Sequence, residues 1–395
     1  MALMQIEDPL PKTPQAPSWR AFFSYAFRPL YLLAAVQGAL FVLVWAFDQG
    51  GTHALPGFLW HGHEMVWGYA GAIIVGFLLT AVATWTGRPP VQGVSLAILV
   101  SLWVGARVLL LVVPNTVLPG AILSVAFYVF AAALFAVPVA RAGNVRNFVP
   151  VGLVLAFGLA DALFLGAIAG VVKINLLAML HTGLLLVAVV IFLMGLRVIP
   201  FFTARGLQKQ QVGNPRGLVL IGIGFPFLMA LSLAFGTPAW LPAALGLIGA
   251  TANLIALVRW WRRGVTGEPM LWVLFAGFGC TAAGVWLYGA LLVLAPHLLS
   301  GAVHLIAVGG IGVLTVGMMT RTALGHTGRP IAAPRGMPVA FALMLVAAAV
   351  RVWSVFQPEL RDPLVILSGV CFAIALALFV IRFAPWLVRP RADGR

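Results

Sequence analysis

An all-α membrane fold is what this 395-residue chain predicts, and three observations predict it. Hydrophobic residues make up 62% of the chain and charged residues 8%, with a mean hydropathy of +1.07, so it lacks the polar surface that a soluble fold of this length needs. Twelve apolar stretches approach the roughly 20 residues that a helix needs to cross a hydrocarbon core of about 30 Å. The connections between them are short and leave no room for a separate soluble domain. The expected architecture is a polytopic integral membrane protein of about 12 transmembrane helices.

Residues 1–28 hold four prolines with Glu7, Asp8 and Lys12, carry no signal-peptide pattern, and read as a short cytoplasmic N-terminal tail. Residues 29–395 then form a single membrane domain. Span 1 covers 29–47. Span 2 (62–84) opens on Trp60-His61-Gly62-His63-Glu64-Met65, span 3 (94–113) carries Arg107, and span 4 covers 118–139. Span 5 (148–171) contains Asp161, span 6 (175–199) contains His181 and Arg197, and span 7 (217–236) contains Pro226. Spans 8 (240–259) and 9 (270–294) follow. Span 10 (298–320) carries His304, span 11 (337–356) Arg351, and span 12 covers 364–387. Cys280 and Cys371 lie within apolar spans without CxxC spacing and read as packing residues.

Alternate loops differ sharply in charge. One set, with the termini, holds nineteen Lys and Arg, and the other holds only Lys173 and Arg361. By the positive-inside rule both termini face the cytoplasm, which requires an even number of spans. The net charge of +15 is therefore a topology signal, and without a basic soluble domain it does not point to nucleic acid.

The spans repeat. An offset of 241 carries His63 onto His304, Gly76 onto Gly317, and Thr86-Gly87-Arg88-Pro89 onto Thr327-Gly328-Arg329-Pro330. A middle unit keeps His181, Gly195, Thr203 and Arg205-Gly206. The expectation is three four-helix units, at about 29–140, 148–260 and 270–388, around a pseudo-threefold axis, with spans 2, 6 and 10 equivalent.

Histidines inside a membrane are costly, and His63, His181 and His304 recur at matching depth, which favours ligands over interfacial side chains. Imidazole suits iron, copper or zinc, and haem iron in helical bundles is held by histidines of facing helices. Two residues along a helix turn a side chain by about 200°, so His61 and His63 cannot hold one metal unless Gly62 breaks the helix. The repeat selects His63, leaving His61 as a supporting or second-site metal group and Glu64 as an anchor for an imidazole N–H. Arg107 and Arg351 sit at the histidines' depth and are candidates to clamp haem propionates, against the alternative of pairing with Asp161 or backbone carbonyls. Arg197 is expected to reach the cytoplasmic interface. His326 reads as structural or interfacial, and His53 and His297 as possible ligands of an exposed second metal.

Several segments resemble the NnrS family. They are His61-Gly62-His63-Glu64-Met65, Gly76-Phe77-Leu78-Leu79-Thr80-Ala81-Val82, Trp85-Thr86-Gly87, Arg197-Val198-Ile199-Pro200-Phe201-Phe202-Thr203, and Met318-Met319-Thr320-Arg321 with Gly325-His326-Thr327-Gly328-Arg329-Pro330. The resemblance implies a multi-pass protein of the bacterial inner membrane with b-type haem and copper, acting in the nitric oxide response of denitrifying or anaerobic cells. Its expected partners are nitric oxide, the lipid bilayer and an electron donor, and it makes a nitric-oxide-reacting haem oxidoreductase conceivable. The layout is also similar to the haem–copper oxidase core, but no His-His pair lies between Gly217 and Gly236, so an oxidase-type binuclear centre is not expected. The competing reading is a transporter or channel for a metal or small anion, for which Pro226 would be the helix break.

Overall fold

The computed structural model describes residues 16–48, 55, 57–112 and 116–393. Among them no strand occurs, and twelve helices are long and apolar enough to cross a membrane. They are α1 (Phe27–Phe47), α2 (Gly57–Thr86), α3 (Gly93–Leu111), α4 (Val117–Arg141), α5 (Val145–Ile168) and α6 (Leu176–Gly206). The remainder are α7 (Arg216–Ala234), α8 (Trp240–Trp260), α9 (Pro269–Leu294), α10 (Pro296–His326), α11 (Met337–Phe356) and α12 (Pro358–Leu387). His53 lies outside the described residues.

Most boundaries fall within a few residues of expectation, and the exceptions have local causes. The sequence reading ends span 6 at residue 199, before Pro200, yet α6 runs on to Gly206. A proline in a helix frees the carbonyl four residues earlier. Here the Leu196 carbonyl accepts a hydrogen bond from Asn214 Nδ2 at 2.7 Å, and the Asn214 Oδ1 accepts from Trp260 Nε1 at 2.8 Å. α10 likewise outruns residue 320, and there the Arg321 guanidinium lies over the Phe202 ring at 3.7 Å. α7 is continuous through Pro226, so the break that would favour a transporter is not there.

The three most buried spans are α2, α6 and α10, which touch one another at the centre of the bundle. The other spans surround them, and α12 packs along α1 to join the two ends of the chain. α2 and α10 share a second feature. In each, immediately after His63 and His304, the backbone widens into a π-helical segment, Glu64–Ala70 and Leu305–Gly312. Their starts are 241 residues apart, matching the offset in the sequence. α6 stays α-helical throughout.

The repeated Thr-Gly-Arg-Pro corner has a direct explanation. Thr86 and Thr327 each donate their hydroxyl to the carbonyl four residues back, of Val82 at 2.7 Å and Ala323 at 2.6 Å. Gly87 and Gly328 then take φ of 65° and 74°, the left-handed conformation that ends a helix at low steric cost. The proline two residues later prevents its resumption.

Candidate functional site

α2 presents two different chemistries on opposite faces, as the 200° between His61 and His63 requires. His63 is fully buried, with Nδ1 3.0 Å from Glu64 Oε1 and Nε2 2.8 Å from Asp161 Oδ1. Asp161 Oδ2 accepts from the Ser124 hydroxyl at 2.6 Å, and Ser124 Oγ accepts from Arg107 Nη2 at 3.2 Å. Arg107 Nε lies 3.5 Å from Glu64 Oε2, an ion-pair distance, and Gln37 donates to the same oxygen at 3.2 Å. A neutral imidazole has only one N–H. Both carboxylate contacts therefore require either an imidazolium or a protonated carboxyl group. With the imidazolium, two cations face two anions and the cluster is neutral, which makes its burial tolerable.

The local backbone is shaped for this cluster. The π segment's carbonyls of Trp67 and Gly68 accept hydrogen bonds from the Tyr128 hydroxyl at 2.6 Å and Trp103 Nε1 at 3.0 Å. A Cβ at Gly68 would stand 2.6 Å from Arg107 Nη1, and one at Gly71 would overlap the Tyr128 hydroxyl. Glycine is needed at both positions for these side chains to approach.

On the other face of α2 lies a cavity of about 430 Å³, within the usual range for a small-molecule site. It is bounded by α1, α2, α6, α10, α11 and α12 near the end of the bundle opposite the charge-rich loops. Its lining includes His61, His181, His297, His304, Arg351 and Arg361 among mostly apolar side chains. His304 Nδ1 lies 2.7 Å from the Ser300 carbonyl, to which it must donate, so its Nε2 keeps a lone pair. His181 Nδ1 is 2.7 Å from the Tyr288 hydroxyl. The His61 ring stacks on Trp45 at 4.9 Å, and its buried Nδ1 has no hydrogen-bond partner among the described residues. Arg351 Nη1 donates to Ser354 Oγ at 2.9 Å. Deeper in the bundle an apolar cavity of about 100 Å³ lies where α2, α6 and α10 meet; Ile311 lines both cavities.

The expected site residues thus divide into two groups. The cavity gathers His61, His181, His304 and Arg351, whereas His63 and Arg107 belong to the buried cluster. His63 and His304 do not share one site here, because both His63 nitrogens meet carboxylates and neither is free as a donor to metal. Arg107 meets Glu64 and Ser124, and neither it nor Arg351 pairs with Asp161. Glu64 anchors an imidazole as expected, that of its own neighbour His63. No group of three His, Cys, Asp or Glu side chains among the described residues stands close enough to hold one metal ion. Sequence reasoning missed Ser300, Tyr288 and Arg361. Ser300 lies one helical turn before His304, the position from which a carbonyl reaches an imidazole, and could have been found.

Arg197 reaches Asn147 Oδ1 at 3.2 Å and stacks over Trp85 at 4.8 Å, a tethered interfacial arginine. His326 packs against the rings of Tyr25 and Phe27, in keeping with a structural role. His297 stands exposed in the cavity lining.

No curated protein matches this sequence. A comparison with protein families matches residues 21–391, nearly the whole chain, to the family described as NnrS protein. With that coverage, and with its twelve apolar spans, the chain belongs to the NnrS family.

Proposed function

We propose that this protein holds haem in the 430 Å³ cavity and there binds or turns over nitric oxide at the bacterial inner membrane. Membership of the NnrS family fits a nitric-oxide-response membrane protein. The observation that carries the haem reading is His304. Its Nδ1–H is committed to the Ser300 carbonyl, an arrangement that orients an imidazole and leaves Nε2 as the donor to a metal. His61 and His181 would be the further imidazoles able to hold it, and the Tyr288 hydroxyl fixes the ring of His181. Arg351 and Arg361 offer cationic partners for two propionates. Bound haem would supply the iron that coordinates nitric oxide and exchanges electrons with a donor. The apolar walls suit an uncharged diatomic that partitions into lipid. Copper is less well served, since the described residues contain no preassembled three-ligand group.

Absorption spectroscopy of the purified protein tests this reading. A Soret band at stoichiometric haem is expected, with His304→Ala lowering haem content. Of His61→Ala and His181→Ala, the one that converts a low-spin spectrum to high spin identifies the second ligand. A colourless protein, or an unchanged spectrum in all three variants, removes the proposal.

A further inference from the structure

The Thr327-Gly328-Arg329-Pro330 corner takes no part in the histidine cavity, which lies at the other end of the bundle. Five arginines collect around it. Arg28, on the first turn of α1 and only 1% exposed, donates Nη1 to the carbonyls of Leu387 at 2.9 Å and Arg389 at 2.6 Å. Arg329 and Arg382 both stand over the ring of Trp386, at 4.0 and 4.6 Å. Arg391 donates Nη1 to the His326 carbonyl at 3.2 Å and grips Asp393 bidentately, at 2.9 and 2.6 Å. Among the described residues Asp393 is the only carboxylate paired with any of the five. Among the described residues, Arg28 Nε and Arg389 Nε are buried and have no hydrogen-bond partner.

We propose that this corner binds the phosphate of an anionic phospholipid headgroup. Among the described residues, like charges crowd here with too few counter-charges and buried N–H donors remain unused, and an anion with several acceptor oxygens would satisfy both. Burial, and next the charge of Arg382, lower the Arg329 pKa, a repulsion that a bound anion relieves. The location selects lipid over soluble phosphate. The cluster lies where α1 begins and α10 and α12 end, beside Trp386, the residue type of membrane interfaces. Below it Leu367, Ile374 and Ile381 are exposed at seven-residue intervals along α12, an apolar track for an acyl chain that ends next to Arg382. Basic pockets between spans on the positively charged side are the recognised setting for such headgroups. The twin corner at Thr86–Pro89 provides an internal comparison, because Arg88 is exposed and its guanidinium donates to the Arg141 carbonyl at 3.0 Å.

Native mass spectrometry of the full chain with added phosphatidylglycerol or phosphatidylcholine tests the proposal. Wild type should retain phosphatidylglycerol in preference to phosphatidylcholine. Arg329→Gln with Arg382→Gln should weaken that retention by about tenfold or more, and Arg88→Gln should leave it unchanged. Excess inorganic phosphate should not displace the lipid. Equal retention of the two lipids by wild type overturns the proposal, and this arm needs no variant to fold. Equal losses in Arg88→Gln and the double variant also overturn it, and displacement by inorganic phosphate would make the occupant a soluble anion.

Discussion

His63 and Asp161, 98 residues apart in the chain, meet at 2.8 Å with neither side chain exposed, and α2 and α5 are tied through that contact. Breaking a buried pair by removing one charge leaves the other uncompensated and costs about 3–5 kcal/mol. Asp161→Asn should therefore lower thermal stability in detergent sharply. Replacing both, as His63→Phe with Asp161→Leu, leaves Glu64 and Arg107 to balance each other and should cost less than the two single changes added together. Strict additivity would show that the two residues do not act as a pair.

The two arginines once expected to act alike should separate experimentally. Arg351→Leu should weaken haem retention by about tenfold or more, since a charge-assisted contact is worth roughly 1.5–3 kcal/mol. Arg107→Leu should lower stability while leaving the spectrum of the folded protein unchanged. The opposite pattern, read by absorbance and melting of the same samples, would reverse their assignment.

Asn214→Ala removes the donor that satisfies the carbonyl freed by Pro200 and should cost about 1–3 kcal/mol, the penalty of an unpaired buried acceptor. Pro200→Ala restores the helical N–H, and in that background Asn214→Ala should cost clearly less. Melting of the four proteins of this cycle is the check, and equal costs in both backgrounds would rule out the coupling.

The spans were legible because each must satisfy its backbone internally and face lipid, which writes length and hydropathy directly into the sequence. Helix ends were less so. Pro200 looks like a terminus until Asn214, fourteen residues on, is seen to take the freed carbonyl. The site was legible as a set of residue types, but not in which of them meet. His61 and His63 could be placed on opposite faces, but which face met Asp161 and which met His304 depends on how α5 and α10 pack around α2, and no local pattern records that. The shared offset favoured His63, the residue whose nitrogens are both committed to carboxylates.

The charge asymmetry makes a prediction about orientation. Reporter fusions after Arg146, Lys209, Arg263 and Arg335 should read cytoplasmic, and a fusion near His297 should read as the opposite side. An inverted pattern would place the histidine cavity at the cytoplasmic face.

α2 is a partition with one chemistry on each side. A helix is about 10 Å across, and at that separation two unit charges interact by about 1.7 kcal/mol at an effective dielectric of 20. An electron gained or lost in the cavity beside His61 would be felt as a change in field by Glu64, Asp161 and Arg107 around His63, with no movement of the backbone. The His-Gly-His-Glu stretch is then less a pair of ligands than a short insulating wall, and a substitution on either side should register electrically on the other.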